Sequence, residues 1–413
     1  MPDRWEDAME YITVHEAAQK WKISERLTQQ YCIGGRIQGA KKFGGVWAIP
    51  ADAQKPEDPR RRRKPAEPKP SVPQSAPGVP NAHLIPMPLL NSTFAPGECL
   101  ACVEGIEDVR LRDIARAEYN YFSGQPEEAA RMSELYLSDP DLSLRLSASL
   151  IYAYSNLSIG QIQRARYALT EVRNTLKDAD ESMPPQLRAA AFFTVTAAAV
   201  LLHLPLPEGI GALQDYLRLL PPGLRMFALY VQAHYTYLQG DYGKSIGIVE
   251  TALAMQTEVF PIPSIYLHLA AVMDYMSLKQ PEEAQAHLLA AWALARPDDL
   301  IEGFGEHHGL LGGMLEAVLK KDYPEDFKRI IAITYRFSAG WRRVHNPVTG
   351  HDVADNLTTT EFATAMLAAR GWTNQEIADH MGISPNTVKQ YISTTLQKLN
   401  IRQRKDLKKY MLL

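Results

Sequence analysis

Asn386, Lys389, Gln390 and Ser393 bring together side chains suited to reading another molecule's hydrogen-bonding pattern: two amides, an ammonium and a hydroxyl. On a helix opened by Pro385, at about 100° per residue, they fall on one face with Gln397, and that face carries no carboxylate. Such a face suits base-pair edges in the DNA major groove, where amides pair with adenine and cations with guanine. From Asn386 to Leu413 there are seven Lys or Arg and one acid, Asp406. Lys398, Arg402, Arg404 and Lys405 are therefore expected on the DNA backbone, with Thr387 and Tyr391 beside them, because phosphate contacts need cations and donors without sequence information.

The elements that must position this face are legible around it. Val388, Ile392, Leu396 and Leu399, spaced by four and three, predict a helix packed on its opposite side. Ser384 supplies its N-cap and Pro385 a preset first residue. Two T-x-x-E capping boxes, Thr358 with Glu361 and Thr373 with Glu376, predict two shorter helices upstream, ended by Gly371 and Gly382. This stretch resembles the LuxR-type (NarL/GerE-like) helix-turn-helix domain of bacterial transcription regulators. The resemblance rests on L-T-x-x-E at 357–361, G-x-T-N-x-E-I-A at 371–378, G-I-S-x-x-T-V-K at 382–389 and K-L-x-I at 398–401. It implies a four-helix domain over 357–413 in which Lys389, Gln390 and Ser393 face bases. Tyr391 stands where the family usually has histidine, and Ser393-Thr394-Thr395 where basic residues are frequent, so relatives do not supply the operator sequence.

At the other end, Thr13 and Glu16 form a third capping box ahead of an apolar stripe of Val14, Ala17, Ala18 and Trp21. Ser24 caps a second short helix, with Leu27 and Tyr31 inward and Glu25, Arg26, Thr28 and Gln29 on or beside the free face. A hairpin about Gly44-Gly45 follows, with Lys41 and Lys42 on the wing. Residues 1–50 resemble a MerR/excisionase-like winged helix-turn-helix through Glu16-Ala17-Ala18, Gly35 to Ile37 and Phe43 to Ile49. The resemblance implies a second DNA-binding module using Arg26, Thr28, Gln29, Lys41 and Lys42; a protein-binding role is the alternative.

Between these ends lie two other kinds of sequence. Residues 51–103 form a proline-rich basic linker: twelve prolines fall between Pro50 and Pro96, with an Arg60 to Lys64 basic run. LIPMPLL, at 84–90, is an apolar exception suited to docking. From 104 to 341 helical patterns recur in pairs, each turn glycine followed five residues later by a small residue: Gly124 with Ala129, Gly160 with Ala165, Gly240 with Ser245. KQPEEAQAHLLAAW repeats this with Ala284. The pattern resembles degenerate tetratricopeptide repeats, which precede LuxR-type domains in MalT-like regulators, and implies an α-solenoid of about six helix pairs that receives a signal. Residues 342–356 are left as a connector.

The net charge of −3 is unevenly spread over the 413 residues: residues 1–70 and 341–413 are each about +4, and the centre about −11. Cationic ends suit nucleic acid, and an acidic centre does not. Three cysteines build no disulfide framework, and Cys99-x-x-Cys102 with only His83 nearby falls short of a four-ligand zinc site. His307-His308 point about 100° apart on a helix and are poor co-ligands. The apolar run 189–202 is too short to span about 30 Å of hydrocarbon and is expected to be a buried helix. No signal peptide opens the chain, and it contains no phosphate loop, receiver aspartates or nucleophile elbow. The expectation is a mainly α, cytoplasmic, cofactor-free transcription regulator, not an enzyme. Its expected partners are double-stranded DNA and a small-molecule or protein effector on the repeats, with homodimerisation on DNA open. The rival reading is a repeat scaffold whose terminal modules dock proteins.

Overall fold

The computed structural model describes residues 11–43, 46–56, 86–177, 183–206, 213–350, 353–354 and 356–411. The chain divides into two compact units, residues 1–78 and 79–413.

In the first unit, β1 (Tyr11–Thr13) leads directly into α1 (Val14–Trp21) and α2 (Glu25–Ile33), followed by β2 (Lys41–Phe43) and β3 (Val46–Pro50). The Thr13–Glu16 capping box is formed in both directions, and Ser24 caps α2. β3 lies between β1 and β2, antiparallel to both, with Ile12 opposite Ile49 and Lys42 opposite Trp47. β1 is an element the sequence reading does not anticipate. Val14, Ala17, Trp21, Tyr31, Cys32, Ile37 and Ile49 form the core. The Gly44-Gly45 turn and the basic run at 60–64 lie outside the described residues, as does His83.

The second unit is helical throughout its described residues. It opens with α3 (Cys99–Glu104), α4 (Val109–Phe122), α5 (Pro126–Glu134), α6 (Leu142–Ser158), α7 (Ile162–Lys177), α8 (Pro185–Leu201) and α9 (Leu213–Tyr216). It continues with α10 (Pro222–Leu238), α11 (Tyr242–Met255), α12 (Pro261–Ser277), α13 (Pro281–Ala295), α14 (Glu302–His307), α15 (Met314–Asp322) and α16 (Pro324–Thr349). Four pairs, α4/α5, α6/α7, α10/α11 and α12/α13, turn in the same way. Gly124, Gly160 and Gly240 each take a positive φ, and Lys279 does so in the fourth turn without being glycine. In each turn the next residue's amide reaches back to the carbonyl five before it, as in Gln125 to Asn120 at 2.8 Å and Gln280 to Tyr275 at 2.9 Å. Ala129, Ala165, Ser245 and Ala284, five residues on, are completely buried, so the paired helices meet where side chains are shortest.

Two features depart from a simple array of pairs. α8, the expected buried helix, is followed before α10 only by the four-residue α9 and a 3₁₀ turn, Leu217–Leu219, among the described residues, and α16 packs back on α6, α7 and α14. α16 also runs through the expected domain edge at 341 and most of the expected connector, ending at Gly350 with φ +68°. The docking expected of 84–90 is seen in its described part. The buried Glu118 carboxylate accepts the Leu89 and Leu90 amides at 3.1 and 2.9 Å, and the Met87 amide meets Ser147 Oγ at 2.8 Å. Burial nonetheless pushes the Glu118 carboxyl up to about 8, with the two amide bonds opposing. Cys99 and Cys102 are free thiols, and Cys99 lies buried with its amide on Asp298. His307 and His308 turn to different partners: His307 to Tyr230 and the Gly303 carbonyl, His308 to Glu316. Among the described residues no helix is long and apolar enough to cross a membrane.

Candidate nucleic-acid interface

Three helices close the chain: α17 (Thr359–Ala369), α18 (Asn374–Met381) and α19 (Pro385–Lys398). Both capping boxes are complete, with Thr358 N–H donating to Glu361 at 2.8 Å and Glu361 N–H to Thr358 Oγ1 at 3.2 Å. Ser384 accepts the Thr387 amide at 3.0 Å, and Pro385 occupies the first helical position of α19. Gly371 and Gly382 adopt φ +83° and +64°, where a Cβ would be strained, and so release the chain from one helix into the next turn. The expected fourth helix is instead a short 3₁₀ stretch, Arg404–Lys409, anchored by the buried Leu407.

α19 sits on its apolar side as the spacing requires. Val388 and Ile392 are buried, Leu396 and Leu399 half-buried, and Thr395 joins them below the surface. Asn386, Lys389, Gln390, Ser393 and Gln397 are all exposed, forming a continuous polar face with no acid. Thr387 and Tyr391 flank it half-buried, and the Thr387 hydroxyl bonds to Ser384 at 2.8 Å.

The expected phosphate cations divide into two groups. Arg402 and Lys405 are exposed. Lys398, also exposed, and Arg404, half-buried, are in addition held by partners within the domain. Lys398 Nζ lies 2.7 Å from the nearly buried Glu361 carboxylate, and Arg404 donates to Asn374 Oδ1 at 2.7 Å and to the Trp372 and Ala368 carbonyls. Burial alone would raise the Glu361 carboxyl, but the Lys398 and Thr358 bonds outweigh it and hold the pKa below its ordinary value. In the first unit Arg26, Gln29, Lys41 and Lys42 are exposed, with Lys42 Nζ 5.9 Å above the Trp47 ring. Thr28 is not: it is completely buried and its hydroxyl donates to the Ser24 carbonyl, so its expected place on DNA is corrected.

Sequence reasoning missed the residues that fasten this segment to the preceding helices. Arg370 donates to Tyr237 Oη and to the Leu310 carbonyl, both at 2.7 Å. His380 reaches the Gly312 carbonyl at 3.2 Å, and Lys279 Nζ the Gly371 carbonyl at 2.9 Å. Phe362 fits against Gly309, where an added Cβ would come within 2.7 Å of its ring. One signal was available: Arg370 is a lone cation at the end of an otherwise apolar run. Its partners lie 60 and 133 positions away and leave no local trace.

Residues 355–411 match the family described as bacterial regulatory proteins, luxR family. The C-terminal segment is a LuxR-family helix-turn-helix domain. Within this LuxR-family domain α18 and α19, joined by the turn at Gly382, are successive helices. A stretch of 87 residues is 31% identical to the probable transcriptional regulatory protein SgaR of Hyphomicrobium methylovorum, covering 21% of this chain and 41% of that protein. The chain thus matches less than half the length of that relative. No solved structure matches the chain significantly.

The two groups of cations give distinct expectations. Lys405→Ala or Arg402→Ala should weaken binding to all DNA sequences alike and lower the salt slope by about one per contact, at unchanged stability. Arg404→Ala should lower the melting temperature of the domain, because three acceptors lose a half-buried donor. Salt-dependent gel shifts paired with thermal melts distinguish them. An Arg404→Ala protein with wild-type melting and a reduced salt slope would return that side chain to the phosphates.

Proposed function

We propose that this protein is a sequence-specific transcription regulator that reads DNA with α19. Asn386, Lys389, Gln390 and Ser393 lie on base edges, with Thr387, Tyr391, Arg402 and Lys405 along the backbone. The carboxylate-free face of α19, exposed while the domain is packed on the helical repeats, carries this reading. A surface serving only to dock another protein has no need to exclude acids there. The helical-repeat part receives the signal. Its acidic balance makes it a poor DNA surface, and its helix pairs leave an interior that a ligand can enter.

The N-terminal unit supplies a second DNA contact through Arg26, Gln29, Lys41 and Lys42. Both contacts belong to one chain. The second contact then becomes intramolecular and raises avidity by ~10². On a promoter fragment recovered by immunoprecipitating the tagged protein, deletion of residues 1–64 should cut affinity steeply and in a salt-dependent manner. On a short operator limited to the C-terminal footprint, affinity should barely change. Equal losses on both fragments would assign the N-terminal unit to protein binding, and no retention of either fragment by the intact chain would defeat the DNA-binding reading itself.

A further inference from the structure

The second unit contains a partly open cavity of about 170 Å³ between the repeats and the LuxR-family domain. An engineered apolar cavity of about 150 Å³ holds one benzene molecule, which sets the scale of an occupant: one ring and a short substituent. The wall is aromatic, with Tyr121, Phe122, Tyr154, Phe227, Tyr230 and Tyr266 lining it. Their rings meet mostly edge to face, as in Phe227–Tyr230 at 5.0 Å and Tyr230–Tyr266 at 5.2 Å. Edge-to-face packing leaves π faces available to a guest.

Into this aromatic box projects one carboxylate. Glu306, on α14, accepts hydrogen bonds from the Tyr121 hydroxyl on one oxygen and from the Tyr266 hydroxyl on the other, the latter at 2.9 Å. Two donors aimed at two oxygens suit an ionised group, yet among the described residues no Lys or Arg forms an ion pair with it, although Arg342 belongs to the same cavity wall. The nearby Arg336 is 3.9 Å from Glu302, the other buried acid of α14, which also takes a bond from Ser158. His307 and His234 are held neutral by burial, His307 down to about 4, and supply no counter-charge. Burial likewise pushes the Glu306 carboxyl upward. An unpaired buried carboxylate is costly unless a cation completes it. A second polar group in the same wall is also incomplete: the Tyr154 hydroxyl is buried without a hydrogen-bond partner among the described residues.

We propose that this cavity binds a small primary amine with a compact apolar body, its ammonium on Glu306 and its body among the tyrosine and phenylalanine rings. The ammonium provides the missing counter-charge, and the ring faces stabilise it further. Leu357, Thr359 and Phe362 belong to the same wall, so the guest touches the LuxR-family domain as well as the repeats. The proposal deepens the reading of the repeats as the signal-receiving part, and its test contains no DNA, so either can fail without the other.

The purified full chain is titrated calorimetrically with 2-phenylethylammonium, 2-phenylethanol and phenylacetate, three probes of similar shape and different charge. The ammonium should bind at least ~10-fold more tightly than the alcohol, and the carboxylate most weakly. Glu306→Gln should erase the advantage of the ammonium and leave the alcohol within about twofold of its original affinity. Equal binding of ammonium and alcohol, tighter binding of the carboxylate, or no binding of any probe overturns the proposal. If Glu306→Gln does not fold, the wild-type ranking stands as the test together with Ala198→Trp, which fills the cavity wall. That variant should abolish ammonium binding; undiminished binding would locate the amine elsewhere and overturn the assignment.

Discussion

Gly340→Ala should destabilise the second unit by about 3 kcal/mol or more, although alanine is the better helix former by about 1 kcal/mol. Gly340 lies inside α16, and a Cβ built on it would stand 1.9 Å from the Leu157 carbonyl oxygen and 2.7 Å from its carbon. Those atoms belong to the backbone of α6, near its C-terminal end, and cannot rotate away as a side-chain tip could. The helices must separate, and Leu157, Phe337, Trp341 and Val344 then lose a shared core. Urea unfolding of the variant and the parent gives the difference directly. An unchanged or raised midpoint would mean that α16 does not lie this close to α6.

Lys389→Ala or Gln390→Ala should weaken binding to the native operator by about 1 to 3 kcal/mol and leave nonspecific binding nearly unchanged. Both side chains are exposed on α19, and among the described residues neither makes a hydrogen bond or ion pair, so folding should be preserved. Competition gel shifts against scrambled DNA separate the two quantities. If Lys389→Ala left operator discrimination intact, α19 would not be the reading helix.

The parts most legible in the sequence are those whose physics is local. A capping box needs two side chains three residues apart, and all three expected boxes are formed, at Thr13, Thr358 and Thr373. The turn glycines followed by small residues also speak locally, because a left-handed backbone and a close helix approach each restrict one position. Even the turn without glycine, at Lys279, is legible through Ala284 rather than through the turn residue itself. The face of α19 could be read for the same reason: one helix and one periodicity decide it.

What escaped was long-range. Nothing near Lys398 or Arg404 in sequence says that one pairs with Glu361 and the other closes on Asn374, Trp372 and Ala368. Threonine on a short helix reads as polar surface, whereas Thr28 is completely buried and its hydroxyl bonds back to Ser24. The return of α16 onto α6 depends on a single glycine whose significance appears only when Leu157 is beside it. The carboxylate of Glu306 likewise reads as helix polarity until four helices bring tyrosines around it.

The continuity of α16 bears on how this chain could be recombined. A join placed at residue 341 would cut a 26-residue helix in mid-course and leave Trp341 and Val344 on opposite sides of the splice. A LuxR-family domain transplanted from another regulator would also arrive without a guarantee of an aromatic ring to meet Gly309 or a guanidinium to meet Tyr237 and the Leu310 carbonyl. The C-terminal domain is therefore not an exchangeable cassette. Substitutions at 362, 370 and 380 are tied to those at 309, 310 and 312, and a workable chimera has to carry both sets from one parent.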